Sequence, residues 1–161
     1  MLRILLVCTG NTCRSPMAEA LLRQRILARG GEDIAVESAG VGAWNGVPAS
    51  RGAQTVVEEL KLDLSRHQSR PVTAETVAAA DLILTMTQDH LRYLLAAFPE
   101  AAAKAATLGE FAGAGCDVDD PYGGSEARYR ACAAQISDLL DLAWPKIIDR
   151  AGKKANTENE K

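Results

Sequence analysis

The chain has 161 residues, of which 47% are hydrophobic, and a formal net charge of -3. This length suits one domain with a core of its own, and the negative charge is not typical of proteins that bind nucleic acid or an acidic membrane surface. The N-terminus has no signal-peptide pattern and no apolar run is as long as a membrane span, so we expect a cytoplasmic protein with no nucleic-acid and no membrane partner.

The chain opens with a near-continuous apolar run over residues 2–7, which predicts a strand buried on both faces of a parallel sheet. Residues 15–28 then repeat apolar side chains at helical spacing, with Pro16 in the first turn, where proline is tolerated. A second strand is predicted over residues 34–38, followed by a helix over residues 50–60.

The second half continues the alternation. A strand is predicted over residues 82–85, a helix over 88–97, a short strand near 106–108 and a long helix over 125–148, which Pro145 should kink or interrupt. Strands that alternate with helices form right-handed βαβ units. We therefore predict one α/β domain over residues 1–150, with a four-stranded parallel sheet between helices, as in flavodoxin-like and Rossmann-like folds. The polar residues 151–161 are predicted to form a disordered tail.

The connection between the first strand and the first helix carries the chemistry. It contains one candidate nucleophile, Cys8, followed by a phosphate-binding set: Thr9, Gly10, Asn11, Thr12, Cys13, Arg14 and Ser15. Free N–H groups at a helix start and in a glycine-containing loop attract an anion, and the same positive field favours the thiolate form of a cysteine. Arg14 adds a planar fork for two oxygens of a phosphate group. An isolated C-x5-R spacing would be weak, but the preceding strand and following helix favour a phosphate-binding loop over a buried cysteine in an ordinary turn.

The remaining cysteines and the histidines do not indicate a metal site. The two cysteines outside this loop, Cys116 and Cys132, lie far downstream, and the chain has no C-x-x-C motif. His67 and His90 are not spaced beside a cysteine as zinc ligands are. We expect no disulfide framework, no metal and no cofactor.

A nucleophile that takes up a phosphoryl group requires an acid for the leaving group and then a base for water. The candidate is Asp120, in a glycine-rich acidic stretch where Pro121 restricts the chain. By itself this stretch would be interpreted as a solvated acidic turn. Its combination with the Cys8 loop makes Asp120 a candidate catalytic residue.

Residues 7–20, VCTGNTCRSPMAEA, together with Asp120-Pro121-Tyr122, resemble the low-molecular-weight protein tyrosine phosphatase family, and the similarity extends over residues 2–148. The resemblance implies a bacterial, metal-independent protein phosphatase with a cysteinyl-phosphate intermediate. It implies that Cys8 is the nucleophile, Arg14 the phosphate clamp and Asp120 the general acid and base.

The same resemblance assigns roles to residues around the loop. It implies that Asn11 has a strained backbone held by Ser15, Ser38 and His67. It also implies that Cys13 traps Cys8 in a reversible disulfide under oxidation, for which two thiols in one loop are suited. The alternative for Cys13 is a small side chain packed under the loop.

Substrate choice depends on what surrounds the loop. Trp44 and Tyr122 resemble the aromatic walls that flank the leaving group, although either aromatic residue is also compatible with a place in the core. Thr12 resembles the bacterial protein-arginine phosphatase branch, which has threonine in a GNTCRS loop, whereas the tyrosine phosphatases have a bulky aliphatic residue there. We therefore predict hydrolysis of phosphoarginine in proteins, with release of inorganic phosphate, and keep phosphotyrosine as the alternative.

Two further functions are less favoured. A thiol-dependent arsenate reductase needs two more cysteines in a mobile segment near residues 80–90, where this sequence has none. A non-catalytic phosphopeptide-binding module would not need both Cys8 and Asp120.

Overall fold

The computed structural model describes residues 1–159 of the chain, and the side chains of residues 1–158. In these described residues, four parallel strands form one sheet in the order β2-β1-β3-β4. Their bounds are β1 Leu2–Cys8, β2 Ile34–Gly40, β3 Leu82–Thr85 and β4 Ala105–Thr107. The predicted α/β fold with a four-stranded parallel sheet is confirmed.

Within residues 1–159, six α-helices and one 3-10 helix connect or follow the strands. They are α1 Arg14–Arg29, α2 Arg51–Glu59, α3 Ala74–Ala79, α4 Gln88–Ala97, a 3-10 helix Pro99–Ala103, α5 Leu108–Ala112 and α6 Glu126–Asn159. The short helices α3 and α5 were not predicted, because six and five residues are too few to show helical periodicity. Each begins instead at a threonine, Thr73 or Thr107, whose side chain caps the helix.

Helices cover both faces of the sheet, which explains why β1 is apolar at nearly every position. Leu2, Ile4 and Leu6 belong to a core that also contains buried side chains of α1, α2, α5 and α6. Leu5 and Val7 belong to a second core with side chains of α3 and α4. The two-residue period of a strand therefore divides one apolar run between two cores.

The end of the chain differs from the predicted disordered tail over residues 151–161. Helix α6 continues past Pro145 to Asn159, and residues 160–161 lie outside the described residues. The ammonium of Lys154 lies 2.5 Å from the Asp81 carboxylate, and the N-terminal amine lies 3.0 Å from that of Glu158. These two ion pairs join the last turns of α6 to the rest of the fold, and such long-range contacts leave no pattern in the polar sequence of the tail.

The register of the sheet positions the Cys8 loop. Cys8 pairs with Gly40 at the carboxyl end of β1, and Val7 pairs with Thr85 on the other side. The loops after β1, β2 and β3 therefore meet at one edge, where ligands bind in open parallel sheets. In residues 1–159, no helix combines the length and hydropathy of a transmembrane span.

Candidate active site

The loop from Cys8 to Arg14 joins β1 directly to α1. Cys13, which precedes the first residue of the helix, makes no side-chain capping bond to its N–H groups in the described part of the chain. Free N–H groups of a first helical turn can bind an anion. A Cβ atom on Gly40 would lie 2.3 Å from the Thr9 carbonyl oxygen, so glycine is needed where β2 passes under the loop.

Asn11 holds the middle of the loop in a left-handed conformation, with φ 55°. Its buried side-chain amide donates to the hydroxyls of Ser15 at 2.8 Å and Ser38 at 2.9 Å. The His67 Nε2 atom lies 2.6 Å from the Asn11 carbonyl oxygen. Because that oxygen can only accept, His67 carries its proton on Nε2. The structure thus brings Ser15, Ser38 and His67 to Asn11.

Arg70 is a support of the loop that the sequence did not indicate. Its backbone N–H donates to the Asn11 side-chain oxygen at 3.0 Å, and its Nε donates to the Ser38 carbonyl at 2.9 Å. The first of these hydrogen bonds is donated by the backbone N–H, which almost every residue type has. The identity of residue 70 therefore could not indicate this contact in the sequence.

Arg14 and Asp120 meet beside the loop. The Arg14 guanidinium is buried, donates to the Val118 carbonyl at 3.2 Å and lies 3.5 Å from the Asp120 carboxylate. The Asp120 side chain is 58% exposed. The fold therefore places an accessible carboxylate beside a fixed cation at the mouth of the loop.

Helix α6 holds the segment that carries Asp120. The Gln135 side chain donates to the Asp117 carbonyl at 2.9 Å and accepts from the Asp119 N–H at 3.1 Å. Burial raises the pKa of Cys132 to about 12, so this residue is a thiol and donates to the Asp119 carbonyl at 3.5 Å. Neither residue was predicted to contact the Asp120 loop.

Cys13 lies in a hydrogen-bonded group on the inner side of the loop. Its sulfur lies 3.2 Å from the Ser50 hydroxyl and 3.4 Å from the Tyr129 hydroxyl. Burial and the contact with Cys13 raise the pKa of Tyr129 to about 12, so the phenol keeps its proton. The Ser50 N–H also donates to the Thr12 carbonyl at 2.9 Å, which fixes Thr12 next to Cys13.

A cavity of about 250 Å³ opens above the loop. It is lined by Cys8, Thr9, Gly10, Thr12, Cys13, Arg14, Asp120 and Tyr122. Tyr122 is 75% exposed, and Trp44, which is 82% exposed, is not among the lining residues. Neither aromatic side chain is in the core. The structure places Tyr122 at the cavity and leaves Trp44 outside it, because the loop after β2 directs the indole into solvent.

A thiol at the floor of a loop that leads into a helix N-terminus, with a buried arginine and an accessible carboxylate above it, is the arrangement expected of a cysteine-dependent protein phosphatase. Residues 3–154 match the family described as low molecular weight phosphotyrosine protein phosphatase, and the chain belongs to this family.

The chain is similar to relatives named as arginine phosphatases and to relatives named as tyrosine phosphatases. The protein-arginine-phosphatase of Geobacillus stearothermophilus is 40% identical over 146 residues, which cover 90% of this chain and 95% of the relative. The probable low molecular weight protein-tyrosine-phosphatase EpsP of Ralstonia solanacearum is 38% identical over 144 residues, which cover 89% of this chain and 94% of the relative.

Solved structures give the same result. The YwlE arginine phosphatase from Geobacillus stearothermophilus superimposes with a TM-score of 0.87 at 38% identity, covering 95% of this chain and 97% of that chain. A low molecular weight protein tyrosine phosphatase from T. tengcongensis superimposes with a TM-score of 0.86 at 42% identity, and the match covers 91% of this chain and 99% of that chain. Overall similarity therefore shows the family and does not separate the two substrate classes.

Proposed function

We propose that this phosphatase hydrolyses phosphoarginine in phosphorylated proteins of the cytoplasm. The observation that carries the proposal is that Thr12 lines the same cavity as Cys8 and Asp120. A hydroxyl at this position can form hydrogen bonds with a guanidinium group or with water, whereas an aliphatic side chain would pack against a phenol ring. The arginine phosphatases among the relatives support this choice.

In the first step, the Cys8 thiolate attacks phosphorus and the P–N bond to the arginine side chain breaks. The loop N–H groups and the Arg14 guanidinium stabilise the negative charge on the equatorial phosphoryl oxygens. Asp120 gives its proton to the departing guanidine nitrogen and becomes a carboxylate. The products of this step are a cysteinyl-phosphate and a free arginine side chain.

In the second step, the Asp120 carboxylate takes a proton from water while the water oxygen attacks phosphorus. The P–S bond breaks, inorganic phosphate leaves and Cys8 returns as a thiolate. The Ser15 hydroxyl, which lies 2.9 Å from the Cys8 sulfur, stabilises that thiolate by a hydrogen bond.

Phosphotyrosine is the second candidate substrate. Tyr122 stands exposed at the mouth of the cavity, where its ring can pack against a substrate phenol. The tyrosine phosphatases among the relatives have the same fold. Both candidates use the same two steps and differ only in whether nitrogen or oxygen receives the Asp120 proton.

The deciding experiment compares steady-state turnover of a phosphoarginine protein and a phosphotyrosine peptide by the wild type, Thr12→Ile and Thr12→Ser. We expect Thr12→Ile to lose phosphoarginine turnover selectively and Thr12→Ser, which keeps the hydroxyl, to retain it. If the wild type prefers phosphotyrosine and Thr12→Ile changes little, the tyrosine phosphatase assignment replaces this proposal.

A further inference from the structure

His90 is a buried titratable residue for which the two catalytic steps have no role. It lies on α4 and is 5% exposed. Its Nε2 atom lies 2.7 Å from the hydroxyl oxygen of Thr9, the residue that follows Cys8. Its Nδ1 atom is fully buried and has no hydrogen-bond partner in the described part of the chain.

The unpartnered Nδ1 atom indicates which ring nitrogen carries the proton. Burial, together with the nearby Arg14 guanidinium, lowers the pKa of His90 to about 4, so the ring is neutral near pH 7. The carboxylates of Asp120, Asp117 and Asp89 act in the opposite direction and do not outweigh burial. A neutral ring has one N–H, and a buried N–H without an acceptor is rarer than a buried lone pair without a donor. The proton therefore belongs on Nε2, which donates to Thr9.

Thr9, which accepts the hydrogen bond from His90, is the first residue after the end of β1. The Thr9 carbonyl oxygen accepts the Gly42 N–H at 3.0 Å, so both the backbone and the side chain of Thr9 are fixed. This anchor is separate from the set at Asn11, which His67, Ser15, Ser38 and Arg70 form. Each histidine of the chain thus holds a different residue of the phosphate-binding loop.

The position of Thr9 explains why this anchor matters for catalysis. Thr9 lines the cavity above Cys8 and also an adjoining cleft of about 440 Å³, which includes His90. Because His90 fills one acceptor position of the Thr9 hydroxyl, the threonine proton stays available for the cavity. A loop that binds a transition state needs fixed N–H directions, since small displacements of such groups reduce the rate.

We propose that His90, in its Nε2–H form, is a positioning residue that fixes Thr9 and thereby the first turn of the phosphate-binding loop. The inference rests on the phosphatase site and holds for either substrate class. If the His90 side chain only filled space between α4 and the loop, its replacement would leave kcat of the folded protein unchanged.

The first test needs neither substrate nor variant activity. The chain has two histidines, so ¹⁵N NMR of the labelled wild type resolves both rings, with His90→Gln used for assignment. We expect His90 to be protonated on Nε2 alone and to show no titration between about pH 5.5 and pH 8. A proton on Nδ1, or a titration within that range, would overturn the inference even if the proposed substrate is wrong.

The second test is a double-mutant cycle with p-nitrophenyl phosphate as substrate. His90→Leu and Thr9→Val should each lower kcat by roughly 3- to 10-fold, the loss of one hydrogen bond, and change KM less. The double variant should lose no more than either single variant, and His90→Gln, which retains an N–H donor, should recover most of kcat. Each kcat is referred to the folded fraction, measured by thermal unfolding. Additive losses, or a glutamine variant as slow as the leucine variant, would refute the inference.

Discussion

The hydroxyl oxygen of Ser15 lies 2.9 Å from the sulfur of Cys8. The same oxygen accepts a hydrogen bond from the Asn11 amide at 2.8 Å, and the Ala39 carbonyl, at 3.5 Å, is a poorer acceptor for its proton. The Ser15 proton is therefore directed at the sulfur. Asn11, whose left-handed backbone shapes the loop, thus also orients the hydroxyl that lies beside the Cys8 sulfur.

Replacement of Ser15 by alanine should reduce the reactivity of Cys8. Hydrogen bonds to a charged group contribute about 1.5–3 kcal/mol, so Ser15→Ala is expected to lower kcat by about tenfold or more. The alkylation rate of Cys8 by iodoacetamide near pH 7 should fall as well. The matched control is Ser38→Ala, because the Ser38 hydroxyl also accepts from Asn11, whereas in the described part of the chain it is Ser15 that forms the hydrogen bond with the Cys8 sulfur. Equal effects of both substitutions on alkylation would show that Ser15 acts only through the loop.

The contact between Arg14 and Asp120 allows binding and proton transfer to be separated. Asp120→Asn keeps the shape of the side chain but cannot exchange a proton, so kcat should fall by about 100-fold or more. Inhibition by inorganic phosphate should not weaken, because Arg14 no longer has a carboxylate beside it that competes with the bound anion. Steady-state kinetics with phosphate as a competitive inhibitor measures both quantities.

The neighbouring carboxylate supplies the control for that experiment. Asp119 is exposed and its backbone is held by Gln135, and no ion pair joins its side chain to another described residue. Asp119→Asn should leave kcat within about twofold of the wild type, as is usual for exposed sites. Parallel losses of kcat and phosphate affinity in Asp120→Asn would mean that Asp120 only supports the loop.

The part of the site that local spacing predicts is the segment from Cys8 to Ser15, where the preceding strand and the following helix make the C-x5-R spacing informative. Asp120 became a candidate only in combination with this loop, and Ser38 and His67 only through the family resemblance.

Other contacts of the site join residues that are far apart in sequence. Arg70, Gln135 and His90 are between 16 and 81 positions away from the residues to which they form hydrogen bonds. No local pattern indicates such contacts, because they exist only after the sheet brings the loops to one edge.

Cys13 is expected to protect Cys8 from irreversible oxidation, since both residues line one cavity. Peroxide oxidises the Cys8 thiolate to a sulfenic acid, and attack by the Cys13 sulfur then releases water and forms a disulfide. In Cys13→Ser the sulfenic acid persists, and a second equivalent of peroxide oxidises it to a sulfinic acid that thiols do not reduce. Dithiothreitol should therefore restore the activity of the oxidised wild type but not of Cys13→Ser. Tryptic peptide 4–14 contains both cysteines, and its mass should fall by two hydrogen atoms in the oxidised wild type. Cys116→Ser, at an exposed site, is the control and should recover like the wild type.

The contact between Asp81 and Lys154 ties the last turns of α6 to the segment before β3. The Asp81 carboxylate also accepts the Arg3 N–H at 2.8 Å. Burial opposes ionisation of Asp81, but the Lys154 ammonium and the Arg3 N–H outweigh it and hold the pKa of this carboxyl below its ordinary value. The ion pair should therefore contribute to stability in a pH-dependent way.

A carboxyl whose pKa is lower in the folded state adds stability that is fully present above the unfolded pKa, about 3.9, and is lost as the pH falls through the folded value. Asp81→Asn should thus lower the free energy of unfolding by about 1 kcal/mol at pH 7. The difference from the wild type should shrink below about pH 4. Urea unfolding across this pH range measures the difference. The control is Asp89→Asn, since Asp89 is exposed and its ion pair in the described part of the chain is with Arg92 of the same helix. A difference that stays constant with pH would show that the ion pair does not stabilise the end of the helix.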